Sequence, residues 1–461
     1  MVFSSLFFLW MFLPAVFSIH GLIKPQYANL FLLLASLFFY AWGEPVRVFL
    51  LAGMIVMNHG VGKAIERYGG WILVIGVVCD LGVLAFYKYA GFLIRIVNDL
   101  AGREIWQEPQ ILLPAGISFF TFQAVSYLAD IYRGKTKAQH SLAHTALYIS
   151  FFPQLIAGPI VKYTDMEHQL ENRTVSGKKT ACGFRRFIYG LAKKVLISDV
   201  LGKSADLVFS MNVTSVGSRM AWCASLFYTF QIYYDFSGYS DMAIGLGGMF
   251  GFEIPENFND PYLSHSVGEF WRRWHISLGT WFREYVYIPL GGNRKGKGRT
   301  YINLMIVFFL TGLWHGADYT FIVWGFYHGF FVLLERAGWM ECITKRRVIS
   351  WCYLFLTVNF GWVIFRSDNL KSGLLFIKRM LLPWLYAGAD IPAGKYISGM
   401  TVFVAVCAVF GAGGGKKLLS AKALKRWEGS AAEMVCCAVL LILCIAGAAD
   451  SAYSPFIYFQ F

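Results

Sequence analysis

The sequence predicts an all-α integral membrane protein that crosses the bilayer many times. Of its 461 residues, 57% are hydrophobic and only 15% are charged, and the mean hydropathy is +0.52. A soluble domain has about 25% charged residues. Apolar runs approaching the roughly 20 residues that span a bilayer recur along the whole chain. Because these runs are continuously apolar rather than alternating, they are expected to be helices, which satisfy their own backbone hydrogen bonds in lipid.

The apolar segments predict about eleven transmembrane helices, all within a single membrane domain, residues 1–461. The first segment, Val2–Ile19, lacks the basic residues and the cleavage site of a signal peptide, so we expect it to be retained as a helix. The others are Tyr27–Trp42, Phe49–Val61, Trp71–Phe86, Ile111–Leu128, Leu142–Val161, Ala221–Phe236, Tyr301–Leu334, Ser350–Phe365, Met400–Ala412 and Met434–Ala449.

Clusters of Lys and Arg predict which loops face the cytoplasm, because cytoplasmic loops carry an excess of these residues. The clusters are 178–194, 294–299, 345–347 and 416–426. Two of them flank Tyr301–Leu334, so both ends of this stretch are expected on one side of the membrane. A turn at Trp314–Asp318 would leave arms of thirteen and sixteen residues, about 20 and 24 Å long. The sequence therefore predicts a re-entrant or tilted hairpin with His315 near its tip.

Two histidines are the candidate catalytic residues. His315 lies between apolar runs that end at Leu313 and begin at Phe321, and an ionisable side chain at membrane depth is costly unless it has a partner or a function. The alternative for His315 is a structural histidine bonded to a neighbouring helix. His275 lies in the Trp- and Arg-rich segment 270–277, which is typical of a membrane interface, so anchoring and catalysis are equally open for it.

Other polar residues in apolar surroundings are weaker candidates. Asp235 and Asp241 are six residues apart, which on a helix turns them about 120° from each other and excludes a paired acid dyad. If Ser237 and Gly238 break the helix, this segment would line a polar cavity; the alternative is a buried, hydrogen-bonded turn. His328 follows His315 by thirteen residues and is a weaker candidate for the same site.

Several classes of function lose support from the motifs. The sequence contains no P-loop, Rossmann fingerprint, His-Glu-x-x-His or Gly-x-Ser-x-Gly motif, which argues against ATP-driven transport and serine hydrolysis. The nine cysteines have no metal-like spacing, so no metal site is expected. The net charge of +14 is attributed to cytoplasmic loops, and nucleic acid is not an expected partner.

A family resemblance rests on ten short sequence motifs that occur in order along the chain. They are 1–5, 39–45, 114–123, 151–159, 235–241, 255–258, 271–277, 288–294, 314–316 and 454–461. Together they resemble the membrane-bound O-acyltransferase superfamily, and within it the alginate O-acetyltransferase branch. Two departures, Gly279 where Ser is expected and Tyr234 where Phe is expected, leave the histidines and the reaction class untouched. They keep open an acceptor other than alginate for this chain.

The resemblance implies a funnel of membrane helices with an essential histidine at its neck, which maps onto His315, and a second family histidine, which maps onto His275. It implies acyl transfer in a bacterial cytoplasmic membrane from a cytosolic thioester, most simply acetyl-CoA, with no bound cofactor. The acceptor would be the hydroxyl of an exported polysaccharide or of an extracytoplasmic partner transferase. Residues expected to contact substrate are Trp314, Asp235, Tyr239, Asp241, Arg273 and Asn293.

The expected roles and the alternatives are as follows. The basic loop 293–299 is expected to dock the phosphates of the donor, and Trp314 or Asn293 to stabilise the oxyanion. Direct transfer with a histidine base and an acyl-histidine relay both remain open. The competing functions are D-alanyl or other acyl transfer to a teichoic-acid-type polymer, and a polysaccharide transporter or flippase, against which the lack of an inverted-repeat pattern weighs.

Overall fold

The computed structural model describes residues 1–386, 396–415, 426–450 and 456, and these residues form helices and connecting segments without a strand. Their contacts divide the chain into two compact units, Met1–Phe187 with Ser240–Glu256, and Ile188–Tyr239 with Asn257–Phe461. The prediction of one membrane domain stays a prediction. The basic cluster 416–426 and the terminal word 454–461 lie outside the described residues, except for residues 426 and 456.

The first unit begins with a π-helical turn, Phe8–Phe12, and continues through eight helices before α9. They are α1 (Leu13–Leu22), α2 (Pro25–Gly43), α3 (Val48–Tyr68), α4 (Gly70–Ala101), α5 (Ile117–Tyr132), α6 (Leu142–Ser150), α7 (Phe152–Leu155) and α8 (Tyr163–Asn172). Two long helices, α9 (Gly177–Ala192) and α11 (Ser218–Met249), contribute residues to both units.

The second unit contains the hairpin that carries His315. Its helices are α10 (Asp199–Phe209), α12 (Val267–Arg273), α13 (Ile276–Phe282), α14 (Gly296–His315), α15 (Tyr319–Arg336), α16 (Glu341–Thr344), α17 (Arg347–Arg366), α18 (Leu370–Leu381), α19 (Pro383–Tyr386), α20 (Gly399–Val409) and α21 (Ala431–Asp450). Short π-helical or 3₁₀ turns occupy Lys193–Ser198, Val213–Ser215, Pro261–Leu263, Arg283–Tyr287 and Phe410–Gly414.

Within the described residues, four helices are long and apolar enough to cross a membrane, namely α3, α4, α17 and the stretch Ala431–Ala449 of α21. The expectation of about eleven crossings therefore stays a prediction. One predicted segment is wrong as a single span: Leu142–Val161 is divided after Ser150, and only the four-residue helix α7 follows. Pro153 lies at the start of α7, where a residue without a backbone N–H cannot continue the ladder of α6.

The hairpin turns at the predicted residues but its arms are longer than predicted. Helix α14 has 20 residues and α15 has 18, about 30 and 27 Å at 1.5 Å per residue. Helix α14 begins five residues earlier than the apolar run, at Gly296, and so includes basic residues. Neither α14 nor α15 is among the four described helices that are long and apolar enough to cross a membrane, so the re-entrant or tilted hairpin stays a prediction.

Glycines bring the two arms of the hairpin into backbone contact. A Cβ atom on Gly312 would lie 2.3 Å from the carbonyl oxygen of Phe321, and one on Gly325 would lie 2.4 Å from that of Phe308. Only glycine permits so close an approach. This packing fixes the end of α14, where His315 is the last residue.

The suggested break at Ser237 and Gly238 is wrong, because α11 runs without interruption from Ser218 to Met249. Gly238 serves a different purpose: a Cβ atom there would lie 2.8 Å from the carbonyl oxygen of Gly190. The glycine therefore permits close helix packing rather than a turn.

Candidate active site

His315 is buried in an aromatic pocket of the second unit, with only 4% of its surface exposed. Its ring meets those of Trp314, Trp324 and Phe365 edge to face, at centroid distances of 5.0, 5.1 and 5.3 Å. Trp324 comes from α15 and Phe365 from the last turn of α17. Three helices therefore orient the imidazole and surround it with apolar rings, an environment of low dielectric constant.

Gly316 completes this pocket because it leaves room for an aromatic ring. The ring of Phe321 occupies the space where a side chain at position 316 would lie, with its Cε2 atom 2.1 Å from the position of a Cβ. Phe321 also packs edge to face against Phe365. The Trp-His-Gly motif thus ends α14, and its glycine leaves space for the ring of Phe321, which forms one wall of the pocket.

His275 lies in the connection between α12 and α13 and has an unusual backbone. Its φ and ψ are +45° and +55°, the left-handed region, which costs a residue with a side chain of order 1–3 kcal/mol. The Ile276 amide donates to the Asn257 carbonyl at 2.9 Å, and the Gly279 amide donates to the His275 carbonyl at 3.1 Å. These bonds hold His275 in place, and such strain is typical of functional sites.

Asn257 determines the tautomer of His275. Its Oδ1 atom accepts hydrogen bonds from the backbone N–H and the hydroxyl of Ser277, at 3.2 and 2.9 Å, so this atom must be the amide oxygen. The His275 Nδ1 atom is 3.1 Å from the same oxygen and therefore donates. Burial lowers the pKa of His275 to about 3. The ring is thus neutral near pH 7 and presents Nε2 as a hydrogen-bond acceptor.

The two histidines meet the same indole, that of Trp314. The centroid of His275 is 5.8 Å from Trp314, and that of His315 is 5.0 Å from it. Phe236 of α11 packs edge to face against the ring of His275, with the ring centroids 4.6 Å apart. Although forty residues separate them in sequence, the structure brings His275 and His315 into one aromatic environment through Trp314.

Asp235 belongs to a buried ion cluster and is 1% exposed. The Lys194 ammonium lies 2.7 Å from Asp235 Oδ1 and 2.7 Å from Asp199 Oδ1. Burial alone would lower the pKa of Lys194, but the two carboxylates outweigh it and raise that pKa. Asp235 is therefore an ion-pair partner, one residue from the Phe236 ring that touches His275.

The other predicted contact residues have separate surroundings. Tyr239 is buried and its ring lies 4.5 Å from that of Phe456. Arg273 pairs with Glu269 at 2.8 Å, and its carbonyl accepts from the Asn259 amide.

Asp241 has an arginine partner, and Asn293 lies before the start of α14, the helix that ends at His315. Asp241 belongs to the first unit, where Arg186 donates to it at 2.9 and 3.0 Å. Asn293 is exposed and precedes α14, so the 20-residue helix, about 30 Å long, separates it from His315. Asn293 therefore does not supply an oxyanion donor near His315, and only its expected role in the basic donor-docking loop remains.

Residues 135–367 match the model of the membrane-bound O-acyltransferase family. The chain belongs to this family. It is 46% identical over 382 residues to the probable alginate O-acetylase of Pseudomonas aeruginosa, covering 80% of this chain and 73% of that protein. It is 38% identical over 422 residues to the peptidoglycan O-acetyltransferase of Helicobacter pylori, covering 83% and 80%. A more distant relative is the teichoic acid D-alanyltransferase of Bacillus subtilis, 28% identical over 310 residues, covering 60% and 78%.

Family membership confirms the predicted class: the chain is a membrane O-acyltransferase. The family resemblance that the sequence motifs indicated is therefore confirmed. A transporter or flippase without acyl chemistry is not supported, and the lower identity of the D-alanyltransferase makes that branch the less favoured one.

The residues of this O-acyltransferase that sequence reasoning missed are those that surround and orient the histidines. Asn257 was visible only as part of the word 255–258, and nothing local shows that its oxygen accepts three hydrogen bonds. Trp324 touches both His315 and His328, at 5.1 Å each. His328 is fully buried below that indole and also packs on Trp271 at 5.0 Å. It is therefore a neighbour of the pocket wall rather than of the His315 ring.

Proposed function

We propose that the chain transfers an acetyl group from a cytosolic acyl thioester, most simply acetyl-CoA, to a hydroxyl of an exported cell-surface polysaccharide, directly or through an extracytoplasmic partner transferase. The relatives named for alginate and peptidoglycan O-acetylation, at 46% and 38% identity, support a polysaccharide as the final acceptor. The proposed setting is the bacterial cytoplasmic membrane, with the chain crossing the lipid about eleven times and its helices forming a funnel whose neck holds His315.

The observation that carries this proposal is the pair of buried imidazoles packed against Trp314. In the proposed reaction the acceptor oxygen attacks the thioester carbonyl carbon while the His315 imidazole takes the hydroxyl proton. The carbon–sulfur bond then breaks, and the imidazolium returns the proton to the leaving thiolate. An imidazole suits this exchange because its ordinary pKa is near 6.5, close to the working pH.

The rings around His315 supply two further conditions for the transfer. Apolar walls exclude water and so suppress hydrolysis of the thioester. Trp314 and Trp324, both edge to face with His315, carry indole N–H groups that can stabilise the oxyanion. His275, neutral and held by Asn257, positions a substrate donor through its Nε2 atom. The basic loop 293–299 docks the phosphates of the thioester donor.

A polar groove beside the pocket supports a hydroxyl-rich acceptor. Phe365, in the last turn of α17, touches His315 at 5.3 Å, and Ser367, two residues later, lines a groove of about 470 Å³. The same groove is lined by Asn212, Asp368 and Lys371. Amide, carboxylate and ammonium groups are the donors and acceptors that recognise hydroxyls. The chain therefore passes from the histidine pocket to the groove within two residues at the end of α17.

The test is transfer of radiolabelled acetyl from acetyl-CoA in membranes that contain the chain, its candidate partner and an oligosaccharide acceptor. His315→Ala should lower the rate by about 10² to 10⁴, the loss expected for a general base. His275→Ala should also lower it. His168→Ala is the matched control, because this histidine is exposed on α8 of the first unit. Full activity of a folded His315→Ala protein would overturn the proposal, as would label that never reaches partner or glycan.

A further inference from the structure

A cavity of the first unit has features that acyl transfer does not use. Its volume is about 640 Å³, and it lies where α1 ends, α2 begins and α8 ends. Six polar side chains line it, those of His20, Gln26, Asn29, His144, Glu171 and Arg173, of which Gln26 and Glu171 are exposed. A volume of about 300–1,000 Å³ is typical of small-molecule sites.

Asn29 organises the polar side of this cavity. Its Nδ2 atom donates to the Leu170 carbonyl at 2.6 Å, and its Oδ1 atom accepts from the Arg173 guanidinium. A carbonyl partner on one side and a guanidinium partner on the other fix which end of the amide is nitrogen. The orientation of Asn29 is therefore determined without reference to any histidine.

This orientation determines the tautomer of His144. The Asn29 Nδ2 atom, a donor, lies 3.1 Å from His144 Nε2, so that nitrogen must accept. In a neutral imidazole the proton is then on Nδ1. No described residue hydrogen-bonds to this Nδ1 atom, although it is buried. His144, one of the residues that line the cavity, thus has a buried N–H donor that the described protein leaves unsatisfied, which costs about 1–3 kcal/mol.

His20 and Arg173 leave further polar atoms without partners among the described residues. His20 is 9% exposed, and its Nε2 atom has no hydrogen-bond partner within the described part of the chain. Arg173 donates from Nε to the Phe250 carbonyl at 3.0 Å and from Nη1 to Asn29, and it packs over the Phe252 ring at 4.3 Å. Its Nη2 group bonds to no described residue, and the described ion pairs do not include this guanidinium.

The charge of Arg173 calls for an anion. Burial lowers the pKa of Arg173 to about 10, so the guanidinium is still positive near pH 7 while it is partly removed from water. A guanidinium flanked by N–H donors matches the oxygens of a phosphate. The basic pair Lys178 and Lys179 follows Arg173 by only a few residues. The positive-inside rule assigns this pair to the cytoplasmic side of the membrane.

We propose that this cavity binds a phosphate group through Arg173, His144 and His20. Basic pockets between membrane helices on the cytoplasmic side bind the head groups of anionic lipids, which makes a lipid phosphodiester one source; a soluble phosphate compound is the other. The site is independent of the proposed acetyl transfer, and its occupancy is measurable without turnover.

The test measures phosphate binding to the purified full chain. Lipid retention is counted by native mass spectrometry after reconstitution with phosphatidylcholine alone or with added phosphatidylglycerol, and thermal shifts are measured in neutral detergent with coenzyme A or inorganic phosphate. The variants are Arg173→Gln and His20→Leu. Lys179→Gln is the matched control, because it removes a nearby exposed cation that pairs with Glu253 outside the cavity.

Two results support the proposal and two overturn it. Arg173→Gln and His20→Leu should each weaken binding about tenfold or more, the loss of one charge-assisted or buried hydrogen bond, with Lys179→Gln unchanged. If the variants lose only the retention of phosphatidylglycerol, the bound phosphate is that of a lipid. If they lose only the thermal shift with coenzyme A or inorganic phosphate, the bound phosphate is that of a soluble compound. No binding of any of these phosphates overturns the proposal, as does binding that survives in both folded variants. Acetyl transfer measured on the same samples separates this result from the fate of the proposed function.

Discussion

Asn257→Asp is the substitution that tests the histidine site most directly. The carboxylate has the size of the amide and offers an oxygen to the same three donors, His275 Nδ1 and the two groups of Ser277. It adds a negative charge 3.1 Å from the imidazole. The geometry is therefore kept while the electrostatics of His275 change.

The expected magnitude follows from that distance. At an effective dielectric constant near 20, a charge pair 3.1 Å apart interacts by about 5 kcal/mol, and one pKa unit corresponds to about 1.4 kcal/mol. Burial of the new carboxylate opposes part of this, so we expect a rise of about 1–3 units. The pKa of His275 would then move from about 3 into the range where activity is measurable, and the acidic limb of the kcat/KM profile would move up by the same amount.

The assay is the pH dependence of acetyl transfer in proteoliposomes between about pH 4 and 8. Ser277→Ala is the matched control, because it removes one donor to the same oxygen and leaves the bond to His275. Its acidic limb should stay where the wild-type limb is. An unchanged profile in a folded Asn257→Asp protein would refute either the hydrogen bond or the participation of His275.

Three further predictions concern stability and are checked by thermal unfolding of the purified protein. Gly316→Ala should destabilise the protein by about 1–3 kcal/mol through overpacking, since a Cβ at this position would lie 2.1 Å from a phenyl ring. Gly298→Ala is the control and should not destabilise the protein, because a Cβ there would have nothing within 4 Å. Equal effects of the two substitutions would contradict the packing around Gly316. Lys194→Met should lower the free energy of unfolding by about 3–5 kcal/mol, because it leaves two buried carboxylates without their cation. The side chain of Lys345 is 74% exposed, so Lys345→Ala should change that free energy by less than about 0.5 kcal/mol. The folded pKa of His275, about 3, lies below its unfolded value near 6.5, so the unfolded chain binds more protons in this window. Stability should fall as the pH falls through it, by up to about 1.4 kcal/mol per pH unit, and a wild-type curve parallel to that of His275→Asn would refute this contribution.

Local patterns predicted the parts of this protein that depend on neighbouring residues. The position of His315 at the tip of a hairpin follows from a Trp-His-Gly word between two apolar runs, and the structure has the turn there. Helix lengths were less predictable, because α14 continues through basic residues that hydropathy excludes. The division of Leu142–Val161 depends on Pro153 and on the helix end before it, which an apolar average conceals.

Contacts between distant residues were out of reach of the sequence. The separation of forty positions between His275 and His315 gave no reason to expect contacts with the same indole. The separation of eighteen positions between Asn257 and His275 gave no reason to expect a hydrogen bond between their side chains. Both depend on how α12 to α15 pack. Trp314 was the available signal, because it adjoins His315 in sequence and an indole beside a buried imidazole is large enough to reach a second ring.

The two aspartates of α11 have different ion-pair partners, which bears on where the proposed proton transfer takes place. Asp235 and Asp241 look equivalent in sequence, yet each has its own cation: Lys194 for Asp235, and Arg186 for Asp241. Each carboxylate is therefore held in an ion pair within the protein. The imidazoles of His275 and His315 lie instead among aromatic rings. For this reason the proposed acetyl transfer places the acid–base step at His315 rather than at either aspartate.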